Sequence, residues 1–174
     1  MGQTSSKILV CLIESSAFIK VNGKADSALS QEFKQLITRL SSDCRLSVVL
    51  DLADCLYMDS TFLGILARYG NDRDQAVPKL SAPMIMNASA KVLELLDTLG
   101  VLSVFRVTKL AELRELQYAE LPQETLSWSK VERTEHCLDA HRTLVALSPE
   151  NAGRFKDVVH FLEEDLARQR ASAD

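Results

Sequence analysis

The sequence is short of the residue patterns that mark metal sites and redox centres. Its four cysteines have no CxxC spacing, and its three histidines, all in the last quarter of the chain, have no HExxH spacing. Metal sites commonly use such spacings, so we expect no bound metal ion. The cysteines are Cys11, Cys44, Cys55 and Cys137. We expect them to be free thiols in a reduced compartment.

The sequence also lacks the usual marks of an enzyme. It contains no GxxxxGK phosphate loop and no recognisable set of nucleophile, base and acid. We therefore expect a protein that has no catalytic residues and needs no cofactor.

Basic clusters and long apolar runs are absent as well. Lysines and arginines alternate with acidic residues, and the formal net charge is −4, which argues against a nucleic-acid-binding surface. No apolar run reaches the roughly 18 residues of a membrane span, and no signal sequence is visible, so we expect a cytoplasmic protein. Residues 1–7 fit the loose pattern for N-myristoylation, which would bring the chain to membranes in a cell that has the transferase.

The apolar residues that are present follow strand and helix patterns in turn. With 174 residues, 47% of them hydrophobic, the chain can bury one ordinary core and a small appendage. The predicted strands are 8–13, 17–21, 47–52, 82–86 and 104–107, and the predicted helices are 27–40, 62–69, 89–99 and 109–117. Gly70 is expected to end the second helix, and Gly100 to cap the third. This order predicts an α/β domain over residues 1–120, with a mixed sheet of four to five strands flanked by helices.

Beyond residue 120 the pattern is helical only. Residues 121–123 indicate a linker, and residues 127–170 predict two helices. The second begins with Ser148 as a cap and Pro149 at its first position. Two helices cannot bury their apolar stripes alone, so this extension, residues 121–174, is expected to pack on the α/β body or on a second copy as a homodimer. Trp128 is expected to dock it, and His141 to lie in the core or at an interface.

Residues 48–70 run from an apolar strand through an acidic turn into a helix and place Ser60 at the helix start. The first turn of a helix leaves backbone N–H groups without partners and carries a partial positive charge. A hydroxyl at this point suits either a capping role or the attachment of a phosphate.

The sequence YMDSTFLG at residues 57–64 resembles the hallmark motif of the STAS family, named for sulfate transporters and anti-sigma factor antagonists. Segments on both sides extend the resemblance over residues 8–117; they are GKAD at 23–26, IMNAS at 85–89, LGV at 99–101 and FRV at 105–107. The resemblance implies the fold of that family, a small domain with a mixed sheet and helices.

In antagonist members of this family, the hydroxyl that matches Ser60 accepts phosphate from ATP held by a partner kinase, which is also the anti-sigma factor, and a phosphatase removes it. The resemblance therefore implies a non-enzymatic partner-switching regulator whose partners are an anti-sigma factor kinase and a serine phosphatase. Ser60 is the implied phosphoacceptor, with Thr61 as the fallback. The implied partner-binding residues are Asp26, Asp59, Ser60, Thr61 and Phe62. Phosphate charge beside Asp59 would weaken such an interface by repulsion.

The sequence leaves several alternatives open. The pattern is also compatible with Ser60 as a plain helix cap and with Asp59 as a plain complement to the helix dipole. Phe62 is either a core aromatic or an exposed anchor for a partner. A minimal antagonist has no helical extension. The alternative function is therefore a scaffold or adaptor subunit whose tail mediates self-association or docking, without a phosphate switch.

Overall fold

A mixed sheet is the centre of the chain in the computed structural model, which describes residues 6–41, 46–76, 82–109, 116–120 and 127–172. Over these residues the strands are β1 (Lys7–Ile13), β2 (Ser16–Ala25), β3 (Ser47–Asp51), β4 (Cys55–Met58), β5 (Met84–Met86), β6 (Arg106–Thr108) and β7 (Ala119–Glu120). Their order in space is β6-β5-β3-β2-β1-β7, and β4 pairs with β2. β1 runs antiparallel to β2 and β7, and the other pairs are parallel.

The helices are α1 (Ser27–Ser41), α2 (Ser60–Ala76), α3 (Ala90–Thr98), α4 (Lys130–Leu147) and α5 (Pro149–Ala171), with a short 3₁₀ helix at Val101–Val104. The expected class, a mixed α/β sheet with a helical extension, is confirmed. The described part of the sheet has seven strands instead of four to five. The short strands β4 and β7 make the difference, because segments of four and two residues are too short to show a periodic pattern.

Alternation along the central strands divides the sheet into two faces. Ala17, Ile19 and Leu50 lie in the main core together with the buried side chains of α1 and α2. The intervening residues Phe18 and Val49 belong to a smaller apolar cluster, which Leu116 and Tyr118 cover from the other side. This burial on both faces explains why β2 and β3 read as apolar runs.

Two glycines differ in their roles. Gly100 has a φ of +74° between α3 and the 3₁₀ helix, so its predicted role as the end of a helix is confirmed. The predicted stop at Gly70 is wrong, since α2 continues to Ala76. A Cβ atom at Gly70 would lie 2.6 Å from Val104 Cγ2 and 2.8 Å from Phe105, so this glycine provides room for a neighbour.

Some predicted features fall beyond the described residues. The linker at 121–123, most of the helix at 109–117, most of the pattern at 1–7 and Cys44 lie outside them. The described end of that helix, residues 116–117, is not helical.

The two C-terminal helices form a hairpin that packs on the body of the same chain. Asn151 at the start of α5 is fully buried and donates from Nδ2 to the carbonyl oxygens of Leu144 (2.8 Å) and Leu99 (3.0 Å), which joins α5 to α4 and to the end of α3. Pro149 opens α5 as predicted, but the Ser148 side chain makes no capping hydrogen bond. No described helix is long and apolar enough to cross a membrane.

Candidate functional site

The starts of α1 and α2 lie side by side, and Asp59 joins them. Its Oδ1 accepts a hydrogen bond from the Phe62 N–H (2.8 Å), and its Oδ2 accepts one from the Ser27 N–H (2.7 Å). Asp59 is therefore the cap of α2 and also holds the first turn of α1. The predicted alternative in which Ser60 caps α2 does not apply, because the residue before Ser60 performs that function.

Asp26 has the matching position on α1. Its Oδ1 accepts a hydrogen bond from the Leu29 N–H (3.0 Å), which caps this helix. The residue is exposed, whereas Asp59 is half-buried. Two carboxylates thus lie at neighbouring helix starts, where the partial positive charge of each helix favours them.

Ser60 is half-buried and hydrogen-bonded to a histidine of the C-terminal extension. Its Oγ lies 2.9 Å from His141 Nε2, and His141 Nδ1 lies 2.7 Å from the carbonyl oxygen of Cys137. A carbonyl oxygen only accepts, so Nδ1 carries a proton. In the neutral imidazole, Nε2 then accepts the hydrogen bond that the Ser60 hydroxyl donates. This contact joins residues 81 positions apart, and its one signal in the sequence is a histidine on the apolar face of a helix.

The two residues after Ser60 point into the protein. Thr61 is 6% exposed, and its hydroxyl lies 3.8 Å from the Cys137 sulfur. Phe62 is 1% exposed, and its ring centroid lies 5.2 Å from that of Phe33. Phe62 is thus a core aromatic, the first of its two predicted roles, and the folded chain leaves it no surface for a partner.

Helix α4 follows the surface of α1 and α2 beyond Ser60. Asp139 accepts a hydrogen bond from Arg68 (3.0 Å), and His136 Nε2 lies 2.7 Å from the Ser30 hydroxyl. The Trp128 and His136 rings form a T-shaped pair with centroids 5.0 Å apart, and the Lys34 ammonium nitrogen lies 5.9 Å from the Trp128 ring centroid. Trp128 therefore docks the extension on the body, as predicted from its position.

The part of this surface that α4 leaves open is partly apolar. Leu56 and Tyr57, in the strand that leads to Ser60, are 57% and 48% exposed. Together with Val92 and Leu95 they line an open groove of about 280 Å³. Within the described residues, no group of three or more histidine, cysteine and acidic side chains could hold a metal ion.

The pKa of His136 is lowered from 6.5 to about 4. Burial of the ring is the larger cause, and the positive charge of the nearby Lys34 is the smaller one. Its Nδ1 is buried and has no hydrogen-bond partner among the described residues. A histidine whose pKa is depressed in the folded chain binds its proton first in the unfolded chain, so its contribution to stability is complete above pH 6.5 and decreases toward pH 4.

We therefore expect the free energy of unfolding to fall as the pH is lowered from 6.5 to 4, and this fall to be smaller in His136→Gln. Urea unfolding at several pH values measures it. The control is His160→Gln, which removes a histidine whose side chain is 65% exposed. Equal pH dependence in the wild type and in His136→Gln would contradict the assignment.

Solved structures of known proteins are similar in fold to this chain. The structure of the anti-sigma factor antagonist SpoIIAA in its unphosphorylated form is similar with a TM-score of 0.50 and 10% sequence identity, covering 60% of this chain and 90% of that chain. The chain has the STAS fold. The fold implied by the YMDSTFLG motif is thus confirmed, and we use the name STAS body for the described residues up to Glu120.

Two further matches are less similar to the STAS fold of this chain. The Bacillus cell fate determinant SpoIIAA in its phosphorylated form has a TM-score of 0.49 and 11% identity, covering 60% of this chain and 92% of that chain. The murine solute carrier 26 family member A9 anion transporter has a TM-score of 0.46 and 14% identity, covering 58% and 19%. Neither the protein-family models nor the curated protein sequences give a match.

Proposed function

We propose that this chain is a non-enzymatic regulatory binding protein of the anti-sigma factor antagonist type, switched by phosphorylation of Ser60 by a partner kinase. The observation that carries the proposal is the position of Ser60. It is the first residue of α2 in a STAS fold, and its hydroxyl is not needed as a cap because Asp59 supplies that cap. A serine phosphatase is the second partner, because a switch needs a return step.

The surroundings of Ser60 give a phosphate a large effect. A phosphoryl group adds about −1.5 to −2 charges at neutral pH. The start of α2 tolerates negative charge, but Asp59 already occupies it, and Asp26 lies at the neighbouring helix start. Phosphorylation also replaces the hydroxyl hydrogen of Ser60 and so removes its hydrogen bond to His141. It would therefore change both the charge and the contacts of this surface.

A partner has apolar as well as polar groups to bind on this side of the STAS body. Leu56 and Tyr57 are exposed apolar side chains within four residues of Ser60, and Asp26 is an exposed charge at the neighbouring helix start. An interface centred on large apolar side chains with a polar rim is typical of protein complexes. These residues fit contact with the anti-sigma factor kinase better than Thr61 or Phe62, which are buried.

The test combines phosphosite mapping with capture of the kinase. We expect protein isolated from its native cell to carry phosphate on Ser60, shown by peptide mass spectrometry, and Thr61→Ala to retain it. As baits in an extract of that cell, Ser60→Ala should retain a serine kinase of the anti-sigma factor type, and Ser60→Asp should retain about tenfold less, because the added negative charge beside Asp59 weakens the interface by repulsion. Absence of phosphate from Ser60, or equal retention by both baits, would contradict the proposal.

The exposed face of α5 favours the adaptor as the second candidate. Phe161 is 63% exposed and Val158 is 39% exposed, one helical turn apart, so α5 presents apolar surface to solvent. This role requires self-association without phosphate at Ser60. Light scattering on the sample used for phosphosite mapping separates the two candidates. A dimer without phosphate supports the adaptor, and a phosphorylated monomer supports the switch.

A further inference from the structure

Helix α4 covers the surface through which the proposed switch would act. His141 is hydrogen-bonded to the Ser60 hydroxyl, Cys137 contacts the Thr61 hydroxyl, and the helix continues past Arg68 on the same side of α2. Toward the other end, His136 reaches Ser30 of α1. A protein that must place its own atoms against the Ser60 oxygen therefore meets α4 first.

The approach of α4 to α2 depends on Gly64. A Cβ atom at this position would lie 2.2 Å from the Ala140 carbonyl oxygen and 2.7 Å from the Ala140 Cα. Those atoms belong to the backbone, so they cannot move aside without moving the whole helix. Two residues with little or no side chain thus let the helices cross in backbone contact, one turn beyond Ser60.

The contacts that hold α4 on α1 and α2 are both apolar and polar. Ala140 and Leu144 belong to the main core, while His141 and His136 form hydrogen bonds with α2 and α1. The hydrogen bonds between His141 and Ser60 and between His136 and Ser30 replace hydrogen bonds to water, so their net contribution to docking is modest.

We propose that α4 occupies, within the chain, the surface by which the STAS body binds its kinase, so that α4 must leave before the kinase can bind or phosphorylate Ser60. This inference rests on the proposed function and adds the regulation of its site. The competing partner is expected to take the position of α4 beside Gly64, where the missing side chain leaves room for its backbone.

The test displaces α4 by a change at Gly64. Gly64→Ala adds the Cβ atom that collides with Ala140, while alanine is the better helix former and therefore supports α2. Gly153→Ala is the matched control, because a Cβ atom at that position of α5 meets nothing within 4 Å. Ala140→Leu repeats the collision from the α4 side. Emission from Trp128, the one tryptophan in the sequence, reports whether α4 remains docked.

Access to position 60 is measured with Ser60→Cys and iodoacetamide in each of these backgrounds, with the alkylated peptide quantified by mass spectrometry. We expect Gly64→Ala and Ala140→Leu to raise the rate of alkylation at position 60 by about tenfold, and Gly153→Ala to leave it unchanged, because a thiol reacts only when it is exposed. An unchanged rate in both displacing variants would overturn the proposal. So would an equal rise in Gly153→Ala.

Phosphate incorporation from ATP in an extract of the native cell separates this inference from the proposed function. Faster phosphorylation of Gly64→Ala than of Gly153→Ala at Ser60 supports both. If position 60 is alkylated faster in the Gly64→Ala background but Ser60 carries no phosphate, α4 does cover this position and the phosphate switch is overturned. If the two glycine variants are phosphorylated equally at Ser60 and alkylated equally at position 60, the phosphate switch is supported and the proposal that α4 blocks the kinase is overturned.

Discussion

Phe62→Ala is expected to lower the free energy of unfolding by about 3 to 5 kcal/mol, the usual range for removing a fully buried aromatic ring. Phe62 is 1% exposed and packs against Phe33, which is fully buried and contacts Tyr69 edge to face. The substitution leaves a cavity between α1 and α2, directly beneath the helix start that carries Ser60. Urea unfolding should show a lower midpoint with an unchanged slope.

Tyr57→Ala is the control for this prediction. Tyr57 is an aromatic residue of the same segment, but it is 48% exposed, so its removal should change the free energy of unfolding by no more than about 0.5 kcal/mol. Binding of the kinase should show the opposite order. Among variants that remain folded, Tyr57→Ala should lose more kinase binding than Phe62→Ala. A loss of stability below about 1 kcal/mol in Phe62→Ala would instead support the exposed-anchor interpretation of Phe62.

The order of elements in the STAS body could be predicted from the sequence because each one has a local signal. The apolar runs of β1 and β2, the 3.6-residue spacing in α1 and the glycine after α3 each depend on nearby residues alone. The placement of Ser60 at the start of α2 was predictable for the same reason. The STAS motif then indicated how these elements are arranged.

Features that depend on distant neighbours could not be predicted in the same way. Gly70 looks like a helix stop in the sequence, and only the position of Val104 shows that it makes room for another element. Strand β7 exists because β1 offers it a free edge, and its two residues carry no pattern. The pairing of Ser60 with His141 needs the docked position of α4, which no local spacing encodes.

The acidic residues of the site show how a local signal can conceal a second role. The sequence leaves open whether Asp59 only complements the dipole of α2 or also contacts a partner, and Asp26 is implied as a partner residue. In the structure both cap helices, and Asp59 in addition bridges to α1. This bridge follows from the parallel pairing of β2 with β4, which brings the two helix starts together.

Asp59→Ala is expected to lower the free energy of unfolding by about 2 to 4 kcal/mol, because it removes a helix cap and a second hydrogen bond from a charged group. The two bonds lead to different helices, from Phe62 in α2 and Ser27 in α1, so the loss loosens the contact between them as well as the start of α2. Thermal or urea unfolding of the full chain measures the change, with circular dichroism confirming that the variant folds.

Two further variants distinguish the bridge from a simple cap. Asp26→Ala removes a cap that serves α1 alone, and it should lower the free energy of unfolding by only about 1 kcal/mol. Asp59→Asn keeps one acceptor oxygen and should fall between Asp26→Ala and Asp59→Ala, because its amide group cannot accept from the second N–H. Equal losses in Asp26→Ala and Asp59→Ala would mean that the bond to Ser27 adds nothing. Asp59 would then stabilise α2 alone, and the two helix starts would be held together by the packing of Phe33 on Phe62.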